Sequence, residues 1–153
     1  MRLEYFEMID ELVTLDREAG RIVLRSAVPA ASPVFEGHFP GHPIVPGVLL
    51  TEVMAQASGF LALARTGFSR MPFLMGVDKA RFRSFVAPGA VLETTADIEH
   101  EGSGYAVTRA SITSAGHKVA DAGLRLRLMP CPAALEGLMR ARAEEIGLPV
   151  GPG

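Results

Sequence analysis

Apolar residues along this chain recur first with the two-residue period of strands and then as one long, nearly unbroken run. "EMIDELVTLD" (7–16) and "GRIVLRSAV" (20–28) are strand-like and are joined by the turn signal "REAG". "PAASP" breaks the pattern, and a Gly/Pro-rich loop, "FEGHFPGHPIVPG" (35–47), follows. The next stretch, "VLLTEVMAQASGFLALART" (48–66), is apolar nearly all round, which predicts a helix buried on most sides. Pro46 and Gly47 stand at its start, where a missing or unpaired N–H does little harm, and "TGFSRMP" ends it. Three more strand-like runs come next, "FLMGVDKARFRSFV", "VLETTADIEHE" and "YAVTRASITS", and "KVADAGLRLRLM" completes the set. "APGA", "GSG" and "SAGHK" punctuate them with the rhythm of an antiparallel meander. In the last strand Leu124, Leu126 and Leu128 face one way and Arg125 and Arg127 the other. "PCPAALEGLMRARAEEIG" predicts a short amphipathic helix with Pro132 near its start, and "LPVGPG" a frayed tail. The expected architecture is α+β, one long helix against a mainly antiparallel sheet. Residues 1–129 form the main domain and 130–153 a helical extension and tail.

Composition narrows the picture further. A chain of 153 residues suits one core, and 48% hydrophobic with 21% charged residues describes a folded globular protein. A net charge of −2 gives no global attraction to nucleic acid or to an anionic membrane. The single cysteine, Cys131, rules out an intrachain disulfide and fits a reducing, cytoplasmic setting. Acidic residues in "MRLEYFEMIDEL" interrupt the apolar core that a signal peptide needs. The apolar run from Val48 to Ala64 is slightly short for a bilayer and carries Glu52 and Gln56, so no membrane span is expected.

Candidate chemistry gathers where the loop meets the long helix. A carboxylate on an apolar helix is costly unless it is paired or neutral. Glu52 has Gln56 one turn later on the same face, making a narrow polar stripe. The structural alternative is a carboxylate held by backbone donors or favoured by the helix N-terminus. Before it, Gly37, Pro40, Gly41, Pro43, Pro46 and Gly47 restrict the loop that carries His38. Histidine is the side chain best suited to moving protons near neutral pH. His100 and His117 read as surface residues. His38 and His42 have the four-residue spacing of a zinc pair, but Pro40, Gly41 and Pro43 argue against the helix that spacing requires, and no further ligands are evident. At the helix start, N–H groups around Gly47 and Val48 favour negative charge. A base, an acid and an oxyanion donor around one apolar pocket suit proton abstraction beside a carbonyl, with loss or gain of a hydroxyl.

"GHFPGHPIVPGVLLTEVMAQASG" closely resembles the signature of the bacterial 3-hydroxyacyl-acyl-carrier-protein dehydratases, and "GVDKARFRSFVAPG" a second block of the same family. "MIDELVTLD" is similar to the family's opening strand, so the resemblance covers roughly Tyr5 to Leu128. It implies the hot-dog fold, a long helix wrapped by an antiparallel sheet. It implies His38 as the catalytic histidine, Glu52 as the catalytic acid, Gly47 as the glycine whose N–H polarises the thioester carbonyl, and Gln56 as the "MAQ" glutamine near the site. Glutamate rather than aspartate at position 52 favours the non-isomerising type. The family uses no metal or organic cofactor. It builds each site across a homodimer, and its dimers often assemble into hexamers. The expected reaction is dehydration of a 3-hydroxyacyl-acyl-carrier-protein to the trans-2-enoyl form in fatty-acid synthesis, with lipid A acyl chains as one specialised branch. Met54, Phe60, Phe73 and Met75 are candidates for an acyl tunnel by composition. Lys79, Arg81 and Arg83, at i, i+2 and i+4, would share a strand face and could steer an acidic acyl carrier protein. The rival readings are a hot-dog thioesterase, a hydratase of enoyl-coenzyme A esters, and a non-catalytic acyl-binding subunit.

Overall fold

The long apolar run is helical from Gly47 to Arg65 (α2), with Pro46 as its N-cap. Around it, a computed structural model describing residues 1–151 shows a turn of 3-10 helix at Leu3–Tyr5, then β1 (Glu11–Asp16) and β2 (Arg21–Ala27). A short helix α1 (Pro33–Gly37) leads to α2, and β3 (Arg70–Phe82), β4 (Val91–Gly102), β5 (Tyr105–Ser114), β6 (His117–Pro130) and α3 (Ala133–Glu145) follow. The strands form one six-stranded sheet in the order β1-β2-β4-β5-β6-β3, with every neighbouring pair antiparallel. One long helix against an antiparallel sheet is the hot-dog arrangement expected from the sequence.

Alternation decides which face of the sheet meets α2. Leu92, Thr94 and Ala96 of β4 are buried, as are Thr108, Ala110 and Ile112 of β5 and Ala120, Ala122 and Leu124 of β6. The alanines leave room for the helix to approach, and its own Leu50, Val53, Met54, Ala57 and Leu61 are buried against them. Ser58 and Thr108 share a buried hydroxyl–hydroxyl bond of 2.7 Å between helix and sheet. α2 is long and apolar enough to cross a membrane, but 61% of its apolar window is buried inside the fold.

Several elements differ from expectation. Only β4, β5 and β6 make the meander; β3 pairs with β6 at the far edge, because the chain leaving α2 is delivered to that side. β1 begins at Glu11 rather than Glu7, since residues 7 and 8 bond to Arg2 and to the Gln56 side chain. The Ser32–Gly37 stretch is not loop. Ser32 caps α1 by accepting the Val34 N–H at 3.2 Å, and Pro33 opens it. The tail is not frayed up to Gly151: Ile146 and Leu148 are buried, and Leu12 N–H donates to the Ile146 carbonyl at 2.7 Å. Pro152 and Gly153 lie outside the described residues.

On the outer face of the sheet, buried Asp121 accepts from Arg83 at 2.9 Å and from Arg109 at 3.0 Å. Burial alone would raise this carboxyl. The Arg83 hydrogen bond and charge, with Lys118 and Arg109, more than reverse that and hold it below the usual carboxylate range. A depressed folded-state value contributes stability that is present above the unfolded value and is lost as pH falls through the folded one. Asp121→Asn is therefore expected to cost about 1–2 kcal/mol at neutral pH, both guanidiniums being partly solvated. In urea titrations the gap to wild type should close as pH drops below about 4; a gap independent of pH would contradict the ion-pair account.

Candidate active site

α1 fixes the approach to His38. Ser32 Oγ also donates to Glu4 at 2.9 Å. The Glu4 backbone N–H, seconded by this Ser32 bond, holds that carboxyl below its usual range, and the Ser32 bond ties the N-terminal turn to α1. His38 is the C-cap of α1, its N–H donating to Val34 at 3.1 Å, while its carbonyl accepts from Ile44 at 3.0 Å. Phe39 and His42 exchange backbone bonds of 3.1 and 2.8 Å, and Gly41 takes the left-handed conformation (φ +74°) the turn between them requires. The half-buried imidazole stacks on Phe39 with ring centres 4.1 Å apart, whereas His42 is exposed. Backbone bonds on both sides of His38 thus give the loop the rigidity that its glycines and prolines suggest.

The loop then hands over to α2. Val45 N–H donates to the Val86 carbonyl at 2.8 Å, fixing the last residue before Pro46. Gly47 opens the helix, where N–H groups have no partner within the helix itself. A Cβ placed on Gly47 would meet the Phe82 ring at 3.5 Å, an ordinary contact. Phe82 is a neighbour of the helix start that sequence reasoning missed, although it lies in the quoted "KARFR" segment.

One turn into α2, Glu52 and Gln56 are bonded to each other. Gln56 Nε2 donates to Glu52 Oε1 at 2.9 Å and to the Phe6 carbonyl at 2.6 Å, and Gln56 Oε1 accepts from Met8 N–H at 3.2 Å. This clamp by residues 6–8 is also new. Its atoms belong to the backbone and leave no mark on the side-chain pattern. Glu52 and Gln56 line a cavity of about 340 Å³ whose other walls include Phe60, Leu63, Met71 and Leu126. Of the four tunnel candidates, Phe60 lines this cavity; Met54 is fully buried in the core, and Phe73 and Met75 are exposed on β3.

The structure therefore brings Glu52 and Gln56 together, and within one chain it leaves His38 and Gly47 outside the cavity they line. The Lys79–Arg81–Arg83 stripe is corrected. A bulge between Asp78 and Arg81, with Lys79 at φ +49°, breaks the alternation. Arg83 lies beyond the end of β3 and is paired with Asp121. His100 and His117 are exposed, with His100 at 2.8 Å from the Tyr105 hydroxyl.

Comparison with known chains and folds places the protein in a family. A 3-hydroxyacyl-[acyl-carrier-protein] dehydratase of Xanthomonas campestris pv. campestris is 46% identical over 90 residues, 57% of this chain and 59% of that protein's length. The chain thus spans less than two thirds of that relative. A dehydratase of the same description from Nitratiruptor sp. is 36% identical over 132 residues, 81% of this chain and 88% of that one. Among solved structures, a hypothetical protein of Staphylococcus aureus superposes with a TM-score of 0.66 at 17% identity, over 84% of this chain and 98% of its own. A hypothetical thioesterase of Streptococcus pneumoniae with coenzyme A gives 0.63 at 17%, over 80% and 88%. At such identities the two structures speak for the fold. Residues 2–123 match the FabA-like domain, and with the Nitratiruptor alignment running along most of both chains, the protein belongs to the FabA-like family.

Proposed function

We propose that the protein dehydrates 3-hydroxyacyl-acyl-carrier-protein to the trans-2-enoyl thioester. The observation that carries this reading is the hydrogen-bonded Glu52–Gln56 pair on the wall of an otherwise mainly apolar cavity. His38 takes the C2 proton, and charge developing on the thioester oxygen is met by the Gly47 N–H at the helix start. The C2 electron pair forms the double bond as the C3–O bond breaks, and Glu52 gives its proton to the departing hydroxyl, which leaves as water. The Gln56 amide, held by Phe6 and Met8, keeps Glu52 turned toward the cavity. A variant of this scheme lets His38 make both transfers while Glu52 orients water. A cytoplasmic setting suits both the carrier and the single thiol of Cys131.

The partner that completes the site is a second copy of the chain. β3 is an edge strand, and Phe73, Leu74, Met75 and Val77 along it are exposed. Leu74 and Met71 of the same strand line the cavity, so a copy docked on this edge lies beside Glu52 and supplies the His38 that one chain keeps elsewhere. Acidic carrier protein is steered by Lys79 and Arg81, which are exposed and without ion pairs among the described residues.

Turnover tests the chemistry. His38→Ala and Glu52→Gln are each expected to lower kcat by about 10²–10⁴-fold, read as enoyl formation by absorbance and mass. Release of free thiol in place of water would point to hydrolysis instead, and turnover unchanged in both variants would sink the dyad. If the site is shared, mixing the two inactive variants under subunit exchange should restore up to about a quarter of wild-type activity; no recovery despite exchange would make each site the property of one chain. Reversing Lys79 and Arg81 to glutamate should raise KM for the carrier-bound substrate at low salt and leave a pantetheine thioester unaffected. Equal effects on both substrates would remove these residues from carrier recognition.

A further inference from the structure

The family match ends at residue 123, and α3 begins ten residues beyond it. Two α3 side chains nevertheless line the cavity that holds Glu52 and Gln56, namely Met139 and Arg142. The α2 wall of that cavity runs from Glu52 through Gln56 and Gly59 to Leu63, flanked by Ala55 and Phe60, and at 1.5 Å per residue extends about 16 Å. The carboxylate is at one end of this wall. α3 is fastened beside the other: just ahead of the helix Cys131 N–H donates to the Ser69 carbonyl at 3.3 Å, within it Arg140 donates to the Gly67 carbonyl at 3.1 Å, and the Arg140 guanidinium lies 4.8 Å from the centre of the Phe68 ring. These contacts follow directly on Leu63, whose carbonyl accepts from Phe68 at 2.9 Å.

α3 is built as a fixed wall. Ala143, Ile146 and Leu148 are in the core, and Arg142 donates to the Ile9 carbonyl at 2.6 Å and to Glu145 at 2.8 Å. Arg140 also donates to the Val150 carbonyl at 2.6 Å. A helix held at both ends in this way does not swing aside for a longer chain. Its guanidinium at the cavity wall is already hydrogen-bonded, so an alkyl chain gains nothing by displacing it. Met139, half-buried and facing the same space as Leu63, is the apolar surface that such a chain meets.

We propose that α3 sets the acyl-chain length, with Met139 closing the end of the cavity remote from Glu52. The proposal rests on the reading of that cavity as the acyl site. The experiment compares wild type, Met139→Ala, Met139→Phe and Leu138→Ala, the last a 67% exposed neighbour that does not line the cavity. Straight-chain 3-hydroxyacyl-acyl-carrier-proteins of increasing length compete for turnover. In parallel, unreactive acyl-pantetheine thioethers of the same lengths are titrated for binding. Met139→Ala should move the length at which kcat/KM falls to longer chains, each newly housed methylene adding about fourfold to the long-to-short ratio. Met139→Phe should move it to shorter chains, and Leu138→Ala should leave it in place. The thioether series should shift in step. Turnover with an unmoved cut-off in both Met139 variants overturns the proposal and leaves the dehydratase reading intact. A shifted thioether cut-off without turnover of any substrate by wild type overturns the dehydratase reading and keeps the wall.

Discussion

A helix wrapped by its own sheet leaves polar atoms few places to go, and that constraint governs what surrounds α2. Ser58, on the covered side, is matched to Thr108. Gln56, on the side the sheet leaves open, is matched by the N-terminal segment. Its carbonyl accepts the Met8 N–H, and its two amide hydrogens serve the Phe6 carbonyl and Glu52 Oε1. That uses both amide donors and engages the carbonyl. Glu52 is left with Oε2, which has no partner among the described residues. A carboxyl group with one oxygen fixed and the other free is oriented on the cavity wall and keeps one oxygen for a further contact.

The loop and helix start depend on a second set of contacts that begins far off in the sheet. Asp121 of β6 holds Arg83, and Arg83 N–H donates to Val119 at 2.8 Å. Three residues on, Val86 accepts from Val45, and Phe82 covers Gly47. Each such bond is worth only about 0.5–1.5 kcal/mol. Their value lies in fixing the geometry between His38 and the first turn of α2. Arg83 is thereby committed to the architecture and is a poor candidate for a mobile contact with a carrier.

What the sequence made legible was whatever its local pattern carries. α2, the β4–β5–β6 meander, the alternation of Leu124 with Arg125, the α3 helix and the pairing of Glu52 with Gln56 all follow from spacing within a few residues. The family signature supplied the hot-dog fold. Long-range choices were not legible. Nothing local says that β3 crosses to the β6 edge, that residues 6–8 clamp Gln56, or that Asp121 sits between two arginines. α1 was missed because five residues are too few to show a helical period, although Ser32 and Pro33 are a proper cap and first turn. At the C-terminus Ile146, Leu148 and Val150 alternate as a covered segment should. Gly147, Pro149 and Gly151 between them speak for fraying, and tertiary contact decided in favour of the apolar residues.

β3 joins assembly to chemistry. A 13-residue strand at the sheet edge, apolar through its middle, is a template for pairing unless something covers it. The strand shifts register at Met75 and again between Asp78 and Arg81, where the Arg125–Asp78 ion pair at 3.1 Å also sits, and Phe73, Leu74 and Met75 remain exposed along it. On the proposed twofold pairing, that stretch of one chain meets its counterpart, and the cavity wall formed by Met71 and Leu74 becomes part of the interface. The contact that hides the edge then also determines which side chains close the cavity around Glu52. On the same proposal, a substitution in β3 that merely loosens the dimer lowers turnover as surely as one at His38. The two are told apart by concentration: dilution deepens a defect of assembly and leaves a defect of chemistry unchanged.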